Sequence, residues 1–371
     1  MKILVTGGAG FVGSHLVDAL IEAGHAVRVL DNLDPQVHGQ ARTLPEYLNP
    51  AAEFSEGDVR DRAAVRRALE GVEVVFHQAA AVGVGQSMYE IERYVSVNSV
   101  GAAVLLEEIV ERRAHIRKVL VASSMSIYGE GAYRDRAGQL VFPRLRGEAQ
   151  LLARRWELEA ADGALLVPVP TPESKPLHPT SVYAVTKRDH EELFLAIGAA
   201  YRIPTVALRY FNIYGPRQAL SNPYTGVLAI FSARLLNGHP PLIFEDGAQS
   251  RDFVHVSDIV RANLLALASD AADGHVYNVG TGCPTTVREI AEQLSEQLGF
   301  AGRLEVNQQY RAGDIRHCYA DISRIRKDLG YEPEVDLKTG MAELLTWVKG
   351  QRAQDRVQQA QAELLRRGLT R

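Results

Sequence analysis

The chain has 371 residues, 46% of them hydrophobic, and a formal charge of −4. That length suits about two domains with a sizeable core, and the charge leaves no basic footprint for nucleic acid. No run of 18 apolar residues suggests a membrane span. Cys283 and Cys318 are its only thiols, and Met1 opens directly into an apolar strand with no room for a signal peptide. Both features point to a reducing cytoplasm without a disulfide framework. The eleven histidines show no metal-ligand spacing, so no metal site is expected.

The first element is the most informative. An apolar run, Met1 to Thr6, leads into Gly7, Gly10 and Gly13, and then into an apolar helix. In this G-x-x-G-x-x-G spacing the first glycine permits the tight turn and the second lets backbone approach a pyrophosphate. The third lets helix and strand pack closely. The free N–H groups at the helix start would then hold the anion. A second strand, Ala26 to Leu30, ends in Asp31, about 20 residues on, where a carboxylate can accept both ribose hydroxyls and repel a 2′-phosphate. The expected cofactor is therefore NAD. A βαβ unit with a purely structural glycine turn is the plainer reading of the same spacing.

Further along, Val72–His77 and Lys118–Ser123 look like buried strands, and residues 91–113 and 181–201 like helices. Thr205–Tyr210 is a further strand. This alternation implies an α/β fold with a doubly wound parallel sheet, joined to a smaller α/β substrate-binding domain. We expect a dinucleotide domain over 1–208, with an insertion at about 130–180 and a return at about 253–276. The substrate domain takes 209–252 and 277–350. The charged tail, 351–371, reads as a solvated helix or a frayed terminus. The insertion is too long for an ordinary βα loop.

Two constellations carry chemistry. Tyr183 and Lys187, four apart on a helix, share one face; an ammonium beside a phenol lowers its pKa and makes it a usable base. Alone, that spacing is more often a surface pair. Ser123 and Ser124 stand at a strand's carboxyl end, where open α/β sheets bind ligands. A Ser-rich turn explains them equally well in isolation.

Together with Gly57-Asp58-Val59, His77-Gln-Ala-Ala-Ala81, Asn98, Leu208–Arg217, Arg251–Asp258 and Gly313–Arg316, these motifs resemble the extended short-chain dehydrogenase/reductases, specifically the NAD-dependent nucleotide-sugar epimerases and dehydratases. The resemblance runs from Met1 to about Gly350. It implies that Tyr183 is the base, Lys187 its partner and Ser124 the hydroxyl that polarises the reacting C4 oxygen. For the cofactor it implies Gly7, Gly10, Phe11, Val12 and Gly13, then Asp31, Asn32, Asp58 and Val59. Ala79, Ala80, Ala81, Asn98, Ser123 and Tyr210 join them, with Tyr183 and Lys187. For the nucleotide sugar it implies Ser87, Ser124, Met125, Asn212, Val227, Phe244, Arg251, Arg311 and Asp314. Phe244 would stack on the base, and the two arginines would neutralise the diphosphate. It also implies a homodimer built on the two long helices.

A 4,6-dehydratase of this family carries an acidic pair after the active-site hydroxyl. Here Met125 and Ser126 stand in those positions, and neither is an acid for C6. A 4-epimerase is therefore expected. Ser123–Tyr133, Ala81–Glu90 and Ser221–Val227 look like the dTDP-L-rhamnose 4-epimerase-like group. Met125 would offer a 6-deoxy sugar an apolar wall. A UDP-hexose 4-epimerase, another dehydratase or dehydrogenase of the family, and a non-catalytic scaffold remain the alternatives. Relatives in that group often carry Cys-x-x-Cys pairs in the insertion, and this chain has none there.

Overall fold

The computed structural model describes residues 1–351 and 353–371. Its centre is a seven-stranded sheet. From one edge it runs Glu53–Glu56, Ala26–Asp31, Lys2–Thr6, Val74–His77, Lys118–Ser124, Thr205–Tyr210, Val276–Val279. Every neighbouring pair is parallel. Numbered in chain order within this sheet, the strands run 3-2-1-4-5-6-7. This is the doubly wound Rossmann order, with its switch point between Lys2–Thr6 and Val74–His77.

The central strands are largely apolar because both faces are covered. Ile3, Val5, Val29, Phe76 and Leu120 pack into one core, on the side of helices Phe11–Glu22 and Val256–Ala268. Leu4, Leu30, Val75, Val119 and Ala207 pack into a second core with Ala102, Leu105, Ile109 and Phe194. Full burial of such a side chain stabilises by roughly 1.5–3 kcal/mol, and both faces of the sheet contribute.

The smaller unit has its own core, with Tyr214, Leu228, Phe231, Ile243, Ile290, Leu294, Met341 and Leu344. Strands Asn212–Tyr214, Ser250–His255, Pro284–Thr286 and His317–Cys318 form its main sheet. Helix Val256–Ala268 packs on the large sheet, and the strand closing that sheet is Val276–Val279. Pairing with Thr205–Tyr210 holds it there.

Three segments differ from the sequence reading. The helix expected over 91–113 ends at Glu111 and carries a π-helical turn at Val95–Val100. The insertion is ordered as a three-stranded antiparallel sheet, Leu140–Val141, Ala132–Arg134, Val167–Val169. Buried ion pairs tie it to the smaller unit. Arg146 meets Glu245 at 2.8 Å, and the fully buried Arg316 meets Glu157, Glu245 and Asp246. The tail is neither frayed nor fully solvated: helix Val357–Arg366 buries Ala360 and Leu364, and Thr370 is buried after it. No helix among the described residues is long and apolar enough to cross a membrane.

Candidate active site

The glycine turn lies at the switch point. Gly7 has φ +68°, and a Cβ there would press on the Ala79 backbone at 2.8 Å; a Cβ on Gly13 would collide with the Gly7 carbonyl. Gly10 is different. A Cβ there would touch only the Gly7 oxygen, at 3.3 Å, and would otherwise project into open space. Gly10 also caps helix Phe11–Glu22 without a side-chain hydrogen bond, and the first turn holds no acid. The helix therefore presents free N–H groups and its positive end to a cradle that only glycine leaves open.

The cradle opens into one cavity of about 670 Å³. Gly7, Gly10, Phe11, Val12 and Gly13 line its floor, with Asp31 and Asn32 at one end. Ala79, Ala80 and Ala81 form a wall, and Val59, Ser123 and Tyr210 also line it. Asp31 accepts the Leu33 amide at 2.9 Å and the Ala9 amide at 3.1 Å. These N–H bonds oppose the burial that pushes its carboxyl up. Asp58 lines an adjoining pocket with Asn32 and is held well below the usual carboxylate range, at about 2, chiefly by Arg60. Asn98 does not line the cavity. From the π-helical turn its side chain accepts from the Ala81 amide and donates to the Ala81 carbonyl and Thr186. It fixes the wall from behind.

The catalytic candidates converge in the same cavity. Strand Lys118–Ser124 brings Ser124 to its carboxyl end, and helix Val182–Tyr201 presents Tyr183 and Lys187. The Ser124 hydroxyl beside Tyr183 favours the phenolate, yet burial dominates and pushes the Tyr183 phenol up to about 12. Lys187 donates to the Ala122 carbonyl at 2.9 Å, and burial lowers it to about 7. The expectation that Lys187 depresses the Tyr183 pKa is therefore not met here. The ammonium is anchored to the strand, and desolvation outweighs charge for both groups.

Of the sugar-side candidates, Met125, Asn212 and Val227 line the cavity. Asn212 Oδ1 is buried without a hydrogen-bond partner, an acceptor that a bound donor would satisfy. Ser87 is fully buried and donates to the Val84 carbonyl at 2.7 Å, behind the wall. Phe244, Arg251, Arg311 and Asp314 lie outside the cavity lining and form a separate group. Arg311 lies 4.8 Å from the Phe244 ring centre and pairs with Asp314 at 2.7 Å. Arg251 donates to the carbonyls of Ser250, Ile315 and Arg316. Ser123 gives its hydroxyl to Glu191 at 2.7 Å.

Two features escape the sequence reading. The Ser126 hydroxyl donates to Ser124 Oγ at 2.9 Å. Across the cavity, Gln36 bonds Gln86 at 2.9 Å and Asn222 at 3.0 Å, while Arg93 bonds Gln36 at 2.8 Å and Asp34 at 3.0 Å. This strap joins the loop after Asp31 to the loop of the smaller unit. The Ser126 contact had a signal in the serine spacing; the strap joins residues about 50 and 186 positions apart and had none. Among the described residues no group of three or more His, Cys, Asp or Glu side chains is placed to hold a metal ion.

The NAD dependent epimerase/dehydratase family model matches residues 3–143 and 163–280. The chain belongs to this family. The chain is similar to the dTDP-L-rhamnose 4-epimerase of Burkholderia thailandensis, 37% identical over 349 residues, which cover 94% of each chain. Among solved structures it is similar to the UDP-glucose 4-epimerase of Thermotoga maritima with UDP-glucose. The TM-score is 0.77 and the identity 34%, covering 94% of this chain and 99% of the other. The Thermus thermophilus UDP-glucose 4-epimerase complex with NAD has a TM-score of 0.74 and 31% identity, covering 95% and 100%. Family membership makes NAD the cofactor, and the Gly10 cradle, the uncapped helix and Asp31 fit it.

Proposed function

We propose that this protein is a reversible NAD-dependent nucleotide-sugar 4-epimerase that acts on a dTDP-6-deoxyhexose of the dTDP-L-rhamnose type. The reaction rests on one observation. Ser124, Tyr183 and Lys187 share the cavity of the glycine turn, and the two residues after Ser124 are Met125 and Ser126, both cavity-lining and neither acidic.

Gly10, the start of helix Phe11–Glu22 and Asp31 hold the dinucleotide; when bound, NAD supplies the reversible hydride acceptor that C4 chemistry requires. Tyr183 takes the C4 hydroxyl proton as its phenolate, which the Ser124 hydroxyl favours against burial and the positive charge of bound NAD would favour further. Ser124 donates to the same oxygen, because Ser126 satisfies an acceptor site on Ser124 and leaves its proton available. Lys187 holds the ribose and supports proton exchange near neutrality. The 4-keto sugar then turns and presents its other face. Val84, Val227 and Phe253 line the cavity; their apolar surfaces offer no hydrogen bonds to hold the ring in one orientation. Tyr183 returns the proton.

The 6-deoxy preference is supported by Met125, buried on that wall, and by the Burkholderia relative. Asn212, Arg251 and Arg311 take the diphosphate and Phe244 and Asp314 the nucleoside, with a base on Phe244 displacing Arg311 towards the phosphates. Ser87 shapes the sugar wall through Val84. The protein works as a homodimer in the cytoplasm. Exposed Ile91, Val95, Val100 and Val185 on the two long helices supply an apolar face of the kind a two-fold helical interface covers.

The test is turnover of C4-deuterated dTDP-L-rhamnose, with UDP-glucose in parallel. Epimerised product that keeps deuterium at C4, without net NADH, is expected. Label loss or NADH accumulation refutes the retained-hydride reaction. Faster turnover of UDP-glucose refutes the sugar assignment. Tyr183→Phe should bind substrate normally and lose ~10²-fold or more in turnover.

A further inference from the structure

Residues 357–371 touch both halves of the site. Leu364 is buried against helix Val84–Ser87, where a Cβ on Gly85 would stand 3.5 Å from Leu364 Cδ2. Arg367 lies 4.4 Å from the centre of the Tyr89 ring, and Tyr89 shares a 2.5 Å hydroxyl contact with cavity-lining Tyr224. On the other side, the tail's end pairs with the segment that carries Arg311. The Tyr310 amide donates to the Arg371 carbonyl at 2.9 Å, the Arg371 amide donates back at 3.0 Å, and the Ala312 amide donates to the Leu369 carbonyl at 2.9 Å. Arg311 bridges Thr370 in antiparallel fashion. Gln361 adds a bond to Gln309 at 3.2 Å, and Arg371 pairs with Glu148 of the insertion.

We propose that residues 357–371 are a positioning element for the diphosphate end of the nucleotide sugar. The amides on both sides of Arg311 are held by this segment. The segment is itself anchored through Leu364 and Arg367 to the loop that bounds the sugar side of the cavity. It therefore fixes the spacing between the Arg311 guanidinium and the sugar pocket, and so the length of nucleotide sugar that spans them. Antiparallel pairing of two or three residues is weak alone, but here it is intramolecular and anchored by a buried helix. The inference rests on the reading of Arg311 as a diphosphate contact.

Two variants test it: a chain stopped after Gly368, which keeps the helix, and Leu364→Asp, which undocks it. Binding of dTDP and UDP is measured by calorimetry, with NAD content and thermal midpoint as controls. Both variants should weaken binding of the nucleoside diphosphate at least tenfold, with NAD content unchanged. In turnover the loss should fall on KM and leave kcat within about twofold. Combined with Arg311→Ala, the truncation should add no further loss, because it acts through that residue. Unchanged binding in both variants, additive losses, or loss of NAD along with the diphosphate would each overturn the proposal. If Arg311→Ala weakens binding and the truncation does not, the positioning role falls while the diphosphate role stands. If Arg311→Ala changes nothing, or the parent binds neither nucleotide, both fall.

Discussion

Ser126 donates its hydroxyl to Ser124 Oγ over 2.9 Å, and the Ser126 amide caps onto the same oxygen at 3.2 Å. Both contacts hold Ser124 in the orientation in which it meets Tyr183. Replacing Ser126 by Ala removes the side-chain donor and keeps the amide cap. Turnover should fall by about 3- to 10-fold, about what one neutral hydrogen bond of 0.5–1.5 kcal/mol contributes, with little change in KM. Steady-state kinetics of Ser126→Ala beside Ser124→Ala checks this; the second should lose far more.

Asp31 faces the cavity with its carboxylate oriented by the Leu33 and Ala9 amides. Asp31→Asn preserves the shape and removes the charge. The preference for NAD over NADP should shrink by about tenfold or more, since the charge repels a 2′-phosphate. Dissociation constants for both dinucleotides measure the change.

The Gln36 strap closes over the cavity from both units. Gln36→Ala deletes its bonds to Gln86, Asn222 and Arg93 together. The rate of NAD loss should rise severalfold while kcat at saturating NAD stays near the parent value. Dialysis followed by mass spectrometry of the released dinucleotide follows it.

Lys187 is lowered from 10.5 to about 7 by burial. A depressed lysine pKa means that the unfolded chain binds the proton first as pH falls. The fold therefore loses stability between about pH 10 and pH 7, and the penalty is fully present below 7. Lys187→Met carries no such penalty. Its melting temperature relative to the parent should improve as pH drops from 10 to 7 and then level off, in thermal melts without added nucleotide.

The cofactor half of the site was legible in the sequence because its contacts are local. Gly7, Gly10 and Gly13 sit on one turn, and Asp31 ends the next strand of the same βαβ unit. Tyr183 and Lys187 are one helical turn apart, and Ser124 ends a strand whose apolar run announced it. Their common cavity then follows from the parallel order that the alternating pattern already implied.

What only the tertiary structure decided is which of these groups meet, and what their surroundings do to them. Lys187 was expected to act on Tyr183, but its ammonium is bound to Ala122 in the neighbouring strand. The cost of burying both groups then exceeds their mutual effect. Asn98 works on Ala81 and Thr186 through a π-helical turn that no periodicity signals. The tail has the charged, Gln-rich composition of a solvated segment, and its few apolar residues count only because the fold brings Leu364 against helix Val84–Ser87. Helical and strand periodicities report near-neighbour spacing along the chain. Desolvation, orphaned acceptors and long-range pairing depend on distances through space, which folding alone sets.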